Sequence, residues 1–569
     1  NNPNPCLCTG EFMKFDYKYS GNSAVINNAT SSEMSFVPDV TRDPTFFVGS
    51  LGKQLSYREA MSALHKVVVS DMRFQARDLT SYKEWLKLQE PIWLAEAMEG
   101  VADVKAQLSQ VQQELQFIRN EQNKIMSPFN IAKRKYFDYI YTKNRDLWFV
   151  LDPVITVHPD ELFFECFSKD ESAYAKLSCK FDVFDQINEF SCGTTNIDYS
   201  YDLYNEFQKI RNYKQTSLKI EPSGFSVATI NEDVFKEVKI DLPDSWVRGF
   251  LQVSSAMTLP MIEFDLHPMD LHNFCRILRQ NKEKHSPRSV RFQLKSGQPV
   301  KAIFEPWNKV VECPRSIFNG KEDQEIRIWG RRRLLVLERL IPIAKSIRVS
   351  LLGTGMPSFY RVDLGHMTFT LGLSGWTAND WSRVGNFDLM APRAEVDAMT
   401  QQKVFLALKE NWFESADSLA YRLRLDKSTV LSSLSAFTQA GRAIYDMDKK
   451  VFRLRELSRE TLPIDSLRFS SDREKDAREL VNQGGVTVKR NIVNSDNIRL
   501  AGKIVRMNKT FNAEITIDKD ERLSEGSCTC YFYSQNKLFK GPCEHMLAIR
   551  MLDSDNRNSN SWKSWFNND

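Results

Sequence analysis

Cys528-Thr529-Cys530 and, after twelve intervening residues, Cys543-Glu544-His545 decide how the C-terminal part of this chain is read. Three thiols and one imidazole arrive as two tight pairs. Zinc favours four tetrahedral ligands drawn from Cys thiolates and His nitrogen. Side chains alternate with period two along extended backbone, so the two members of a pair face the same way. Cys528 and Cys530 can grip one side of an ion, and Cys543 and His545 can close the other, His545 from the first turn of a helix. Four protein ligands leave no open coordination position, so the spacing predicts one structural Zn2+ per chain that holds the local fold together.

The flanks agree with this placement. Residues 498–506 read as a strand and Asn508-Lys509-Thr510 as a turn. Phe511, Ala513, Ile515 and Ile517 alternate with polar residues, the pattern of a half-buried strand. Residues 544–552 read as an amphipathic helix, with Leu547, Ala548, Ile549 and Leu552 apolar. Strand, strand, CxC, loop, CxH, helix resembles the layout of the SWIM zinc finger over residues 495–553. That resemblance implies binding of DNA or of other proteins. The bland alternative is a set of unrelated buried thiols plus a surface histidine.

At 569 residues, the chain is long enough for three to five domains. Hydrophobic residues make up 42% and phenylalanine alone numbers 37, ample for real cores. Mean hydropathy is −0.42 and no run of 18 apolar residues occurs, so no membrane span is expected. The 77 basic and 73 acidic side chains leave a net charge of +4. A polyanion would therefore have to be met by a local patch. Of ten cysteines, seven lie outside the motif, at 6, 8, 166, 179, 192, 275 and 313. Such scattered cysteines point to a reducing compartment, the cytoplasm. The chain opens without Met, which suggests a missing initiating segment, and nothing present resembles a signal peptide.

Taken in order, the chain reads as a multidomain α+β protein with a helical, coiled-coil N-terminal part. Residues 1–90 are mixed, with a Cys6-Leu7-Cys8 pair that no nearby CxH completes. Within 56–96 the pattern is helical, ending around Trp85, Trp93 and Leu94. Residues 91–126 form a coiled-coil helix with seam positions Val101, Val104, Leu108, Val111, Leu115, Ile118 and Ile125. Its partner is an antiparallel helix of the same chain or a second subunit, by self-association. Ser127-Pro128-Phe129 ends it. Residues 127–245 alternate strand-like and helical runs. Residues 246–395 form a central α+β block, 398–457 a winged-helix-like domain, 470–553 the zinc finger with its leading charged helix, and 554–569 a flexible tail carrying Trp562, Trp565 and Phe566.

The central block carries two constellations. Asp265, His267, Asp270 and His272 have metal-like spacing where a strand enters a helix. They either cap and pack that helix or form a second metal or acid–base site. Arg331-Arg332-Arg333 follows Gly330 at a helix start, as a phosphate site or a solvated basic face. Gly353-Thr354-Gly355 is too short for a nucleotide fingerprint. The block resembles that of larger bacterial SWIM-finger proteins. This implies protein partners such as AAA-type ATPases and von Willebrand A-domain proteins.

Residues 398–457 resemble a winged helix-turn-helix. Val404, Phe405 and Leu408 give the first helix a buried stripe, and residues 416–423 form the second. Asp426 can cap the third, where Val430, Leu431, Leu434 and Phe437 share a face. Gly441 stops it before a hairpin. Lys427, Ser428, Ser432, Gln439, Arg442, Lys449 and Lys450 are the candidate contacts to nucleic acid or a partner. Groove-reading helices expose Arg, Lys, Asn or Gln, and this one is poor in charge. The leading expectation is a zinc-dependent adaptor within a bacterial multi-protein system. The alternatives are a metal-dependent enzyme and a DNA-binding transcription regulator.

Overall fold

The computed structural model describes residues 24–27, 31–36, 45–70, 153–196, 208, 210–212, 215–220, 244–283, 288–375, 380–381, 386–392, 396–457, 472–493, 497–507 and 509–566. The Cys6–Cys8 pair, the coiled-coil seam and the aromatic side chains of the tail lie outside that set. Residues 1–71 with 151–569 form one compact unit and 72–150 a second. The following concerns the first.

Its centre is an eight-stranded antiparallel sheet in the order Ile262–Leu266, Ser346–Leu351, Ser358–Asp363, Met367–Leu373, Ala173–Lys180, Glu161–Phe167, Val154–Val157 and Gly193–Asn196. The strand Glu161–Phe167 reads ELFFECF and is buried throughout. Such a run does not alternate because both of its faces are covered. Leu162, Phe164 and Cys166 face the helix Gln54–Val68, where Tyr57 meets Phe164 edge-on at 6.5 Å. Phe163, Glu165 and Phe167 face the other way, toward the helix Asp244–Met257, whose Phe250 lies 4.7 Å from Phe167. A four-stranded sheet, 289–294 with 299–304, 309–317 and 324–329, packs its Phe292 and Phe304 against Phe274 of the helix Pro268–Gln280.

Residues 398–454 fold as three helices and a small three-stranded sheet. The helices are Ala398–Asn411, Ala416–Leu423 and Lys427–Gln439. Asp397 and Ser415 cap the first two, accepting from Thr400 N at 2.9 Å and Ser418 N at 3.1 Å. Asp426 stands at the third N-cap but makes no side-chain cap bond, against the expectation above. Val404, Leu408, Leu419, Val430 and Leu434 are fully buried between them. The hairpin Ala443–Asp446 and Val451–Leu454 is fastened to the central sheet by a buried ion pair and a buried histidine contact. Arg455 Nη1 donates to Glu165 Oε1 at 3.0 Å, and His158 Nε2 lies 2.6 Å from Leu454 O.

The C-terminal sheet has four antiparallel strands: Val486–Ile492, Asn497–Arg506, Lys509–Asp518 and Leu523–Cys528. Leu500, Ile504, Ala513, Ile515 and Leu523 cover one face and meet Met546, Leu547 and Ile549 of the helix Glu544–Phe566. That helix runs on to Phe566, past the expected break at 554. The helix Asp472–Asn482 also belongs to this core, because Ala477 and Leu480 are buried in it. The same apolar cluster continues without a gap to Phe250, Phe359, Trp381 and Leu389.

Candidate metal centre

Three elements bring the four ligands together. The last strand ends on Cys528, so that thiol leaves the sheet edge. Cys530 then N-caps the short helix Tyr531–Asn536, its Sγ accepting from Tyr533 N at 3.4 Å. Cys543 immediately precedes the long helix, and Leu547 N donates to its carbonyl at 3.1 Å. His545 sits in that helix's first turn, with Phe511 of the neighbouring strand stacked 4.3 Å from its ring.

The three Sγ atoms and one imidazole nitrogen all lie within 4.8 Å of one another. Zn–S bonds of about 2.3 Å put tetrahedral S···S edges at about 3.8 Å, so little movement is needed to enclose an ion. All four side chains are buried, Cys543 completely. Both ring nitrogens of His545 are buried without a hydrogen-bond partner, Nδ1 lying 3.4 Å from the Glu544 carboxylate. A buried imidazole left so is costly unless a further partner fills the gap. A metal ion is that partner, and the donor set fits Zn2+, bound by Cys528, Cys530, Cys543 and His545.

The thiols are also set for deprotonation. A hydrogen bond from Cys543 holds Cys528, against its burial, far below the ordinary thiol range. Cys543, bonded to Cys528 and Cys530 and deeply buried, is pushed up and keeps the shared proton. Zinc takes that proton's place, because only thiolates ligate.

The long loop between the pairs is itself held. Arg473 Nη1 donates to Lys540 O at 2.9 Å and Pro542 O at 2.8 Å. Arg550, five residues past His545, ties the long helix to the rest of the chain instead, donating to Leu389 O at 3.1 Å, Ala391 O at 2.7 Å and Glu521 O at 2.6 Å. The sequence reading did not single out either arginine. Their signal was weak: one basic residue in a charged helix and one on an otherwise apolar helix face.

The other candidate residues do not form sites of this kind. His267 N-caps its helix, its Nδ1 accepting from Met269 N at 3.2 Å. Asp270 is fully buried and accepts from Ser316 Oγ at 2.7 Å, while Asp265 pairs with Arg348 at 2.9 Å and His272 is exposed. Among the described residues, the Cys528–His545 group is the one cluster of metal-ligating side chains found. Arg331 and Arg333 are buried, Arg331 4.5 Å over the Trp307 ring, and Arg332 donates to Leu278 O at 2.9 Å. Burial pushes Arg331 and Arg333 down to about 10. They are neither an open phosphate loop nor a solvated face.

On the third helix, Ser432 and Gln439 are buried and Ser428 half-buried. Lys427 pairs with Asp417 at 2.9 Å and with Asp520 of the finger at 3.2 Å. Arg442 pairs with Glu456 at 2.6 Å and covers the Phe405 ring at 3.9 Å. Lys449 pairs with Asp160 at 2.5 Å, and Lys450 is exposed.

Residues 514–549 match the SWIM zinc finger family, and all four ligands fall inside that match. No curated protein matches the chain. Among solved structures, the crystal structure of Proliferating Cellular Nuclear Antigen from Entamoeba histolytica is similar at 9% identity, over 40% of this chain and 89% of that one. Its TM-score is 0.29, too low to speak for the fold or the function of this chain.

Proposed function

We propose that this chain, which carries a SWIM zinc finger at residues 514–549, is a binding protein and not a catalyst. Zinc holds the finger together, the finger is clamped to the central block, and its uncovered sheet face docks a partner. The observation that carries this reading is the one-sidedness of the finger. The long helix and Arg550 fix one face to the rest of the chain. The other face, with Lys489, Lys503, Asn512 and Thr529, is open. A closed set of four ligands gives the zinc a structural role.

Residues 398–454 fit a winged-helix unit used as scaffold. The face of its third helix that would read bases carries Ser432, Ser435 and Gln439, all buried, which weighs against the regulator reading. The dispersal of Asp265, His267, Asp270 and His272 weighs against a second metal site. Partners of the AAA-type ATPase and von Willebrand A classes rest on the resemblance of the central block alone. Cys166, Cys179, Cys192, Cys275 and Cys313 are free thiols, which supports a reducing, cytoplasmic setting. No helix among the described residues is long and apolar enough to cross a membrane.

Metal analysis of the full chain tests the reading. One zinc per chain, unchanged in His267→Ala, is the expected result. A second equivalent that His267→Ala removes would overturn it in favour of a metal-dependent enzyme.

A further inference from the structure

One buried ammonium of the central sheet lacks a bonding partner. Lys176 is 6% exposed, and among the described residues its Nζ makes neither a hydrogen bond nor an ion pair. It lies 4.3 Å over the Phe163 ring. Its charge reaches Asp446 and Glu161, but neither carboxylate comes within ion-pair distance of it. The little of Lys176 that is exposed opens into a cleft of about 390 Å³ between the central sheet and the hairpin of residues 443–454. An ammonium buried without a partner is costly, so this position favours an anion that enters through the cleft.

Strand register builds the floor of that cleft, because residues opposite one another share a face of the sheet. One row runs Asp265, Arg348, Arg361, Thr370 and Lys176 across five strands. The next runs Ser346, Asp363, Thr368 and Ser178. Among the described residues, the hydroxyls of Ser178, Thr368 and Thr370 make no side-chain hydrogen bond. Lys180 follows Ser178 on the same face, its Nζ 3.4 Å from Gly365 O. Lys345 converges on the same glycine, since a Cβ on Gly365 would lie 2.7 Å from Lys345 Nζ. Met257, Tyr445 and Met447 supply an apolar wall.

We infer that this cleft binds a small organic molecule carrying a phosphate monoester, its oxygens on Lys176 and the three floor hydroxyls and its organic part against Met257, Tyr445 and Met447. Charge selects an anion. The acids of the cleft are mostly neutralised: Asp265 by Arg348 at 2.9 Å, Asp448 by Arg361 at 2.8 Å, and Asp446 and Glu161 by Arg453 at 2.8 and 3.3 Å. Asp363 makes no ion pair among the described residues and accepts from Gly365 N at 2.7 Å. Against it stand three cations without an ion pair there, Lys176, Lys180 and Lys345. A phosphate monoester brings three acceptor oxygens and a charge of about −2, which suits several ammonium and hydroxyl donors better than the single charge of a carboxylate. The volume falls within the range of about 300–1,000 Å³ usual for small-molecule sites. The inference goes beyond the docking role of the finger and does not depend on it.

The test is calorimetric titration of phenyl phosphate, inorganic phosphate and benzoate into the zinc-loaded full chain. Phenyl phosphate should bind, and inorganic phosphate more weakly because it has no ring to set against the apolar wall. Benzoate, with the same ring but less charge, should bind roughly ten- to hundredfold more weakly than phenyl phosphate, the worth of one hydrogen bond to a charged group. Lys176→Met keeps the apolar stem, removes the ammonium and should cost phenyl phosphate a similar factor. Because Lys176 is buried, the exposed pair Lys180→Gln/Lys345→Gln is the second variant. It should weaken phenyl phosphate severalfold, most at low salt, while Lys321→Gln, on an exposed bend of the central block, should leave affinity unchanged. Equal affinity for benzoate and phenyl phosphate overturns the phosphate assignment. No binding of phenyl phosphate by the wild type at millimolar concentration, or affinity unchanged in both variants, overturns the site. Either failure leaves the zinc content, and with it the docking role, untouched.

Discussion

Arg453 grips Asp160 with both ends of its guanidinium, Nη1 to Oδ1 at 2.8 Å and Nη2 to Oδ2 at 3.0 Å. The pair joins the hairpin of residues 443–454 to the turn between strands 154–157 and 161–167 of the central sheet. Burial alone would push the Asp160 carboxyl up, but the bonds from Arg453 and Lys449 hold it down at about 2. A depressed carboxylate stabilises the folded state above its unfolded value and loses that contribution as pH falls through the folded value. We therefore expect stability to drop between about pH 4 and pH 2, by on the order of 2 kcal/mol from this group. Neighbouring Glu161 runs the other way, because burial raises it. Its penalty is present above its folded value and vanishes in acid. Asp160→Asn separates the two. Denaturant melts across pH should show a shallower acid-side fall in that variant, the remainder belonging to groups such as Asp446, which Lys176 and Arg453 hold low against its burial, and an unchanged fall would refute the assignment.

Arg455 and Glu165 are both fully buried and bonded at 3.0 Å. Ser254 Oγ shares the guanidinium at 3.2 Å, and Tyr174 donates to the same carboxylate at 2.7 Å. Removing one partner of such a pair strands a charge in the interior and costs about 3–5 kcal/mol, whereas apolar replacement of both costs far less. Arg455→Met should therefore be severely destabilising, and Arg455→Met/Glu165→Leu should recover most of the loss. Equal melting temperatures for the single and double variants would show that the pair is not coupled as its geometry demands.

Cys528→Ser or His545→Ala should abolish stoichiometric zinc binding. Strands 497–506, 509–518 and 523–528 carry their core against the helix that His545 opens. Hydrogen exchange should accelerate through those strands and that helix. The loss should also reach residues 386–391, because Arg550 holds Leu389 and Ala391 from the same helix. The sheet strands Phe163 and Phe359 belong to should stay protected. Uniform exchange across the whole chain would show that the finger does not unfold as a local unit.

The metal site was open to sequence reading because ligand chemistry and spacing are local properties. The cap role of His267 was also readable, from Pro268 and Asp270 beside it. The outer strand Val486–Ile492 was not, since only Val486 is buried and its other side chains are half-buried or exposed, which gives no apolar alternation. The helix Asp472–Asn482 read only as a charged leader to the finger because charges dominate it, and its buried face has just two apolar residues, Ala477 and Leu480, beside Glu474. The polar face of the third helix of 398–454 was read as open to a partner, yet much of it is buried, and Ser433 and Thr438 turn their hydroxyls to Thr429 O and Leu434 O at 2.9 and 2.8 Å. Serines satisfied by their own helix can be buried. The Arg453–Asp160 and Arg455–Glu165 pairs join residues 293 and 290 positions apart, a distance over which a single sequence carries no pairing signal.

Gly541 closes the loop between the two ligand pairs with φ of +80°. A Cβ there would lie 2.6 Å from Asn386 O, a backbone atom that cannot swing away. Two penalties therefore act together in Gly541→Ala, the left-handed backbone and the clash with the central block, and each is worth about 1–3 kcal/mol. The loop can escape both only by lifting off Asn386. That movement would loosen the bonds from Arg473 to Lys540 O and Pro542 O and shift Cys543, which follows directly. We expect the variant to fold, to bind zinc more weakly in competition with a chromogenic chelator, and to show faster exchange at residues 537–543. Gly484→Ala is the control, since its φ is similar at +72° but a Cβ there would touch nothing. If both variants released zinc alike, backbone strain and not contact with the central block would govern the loop.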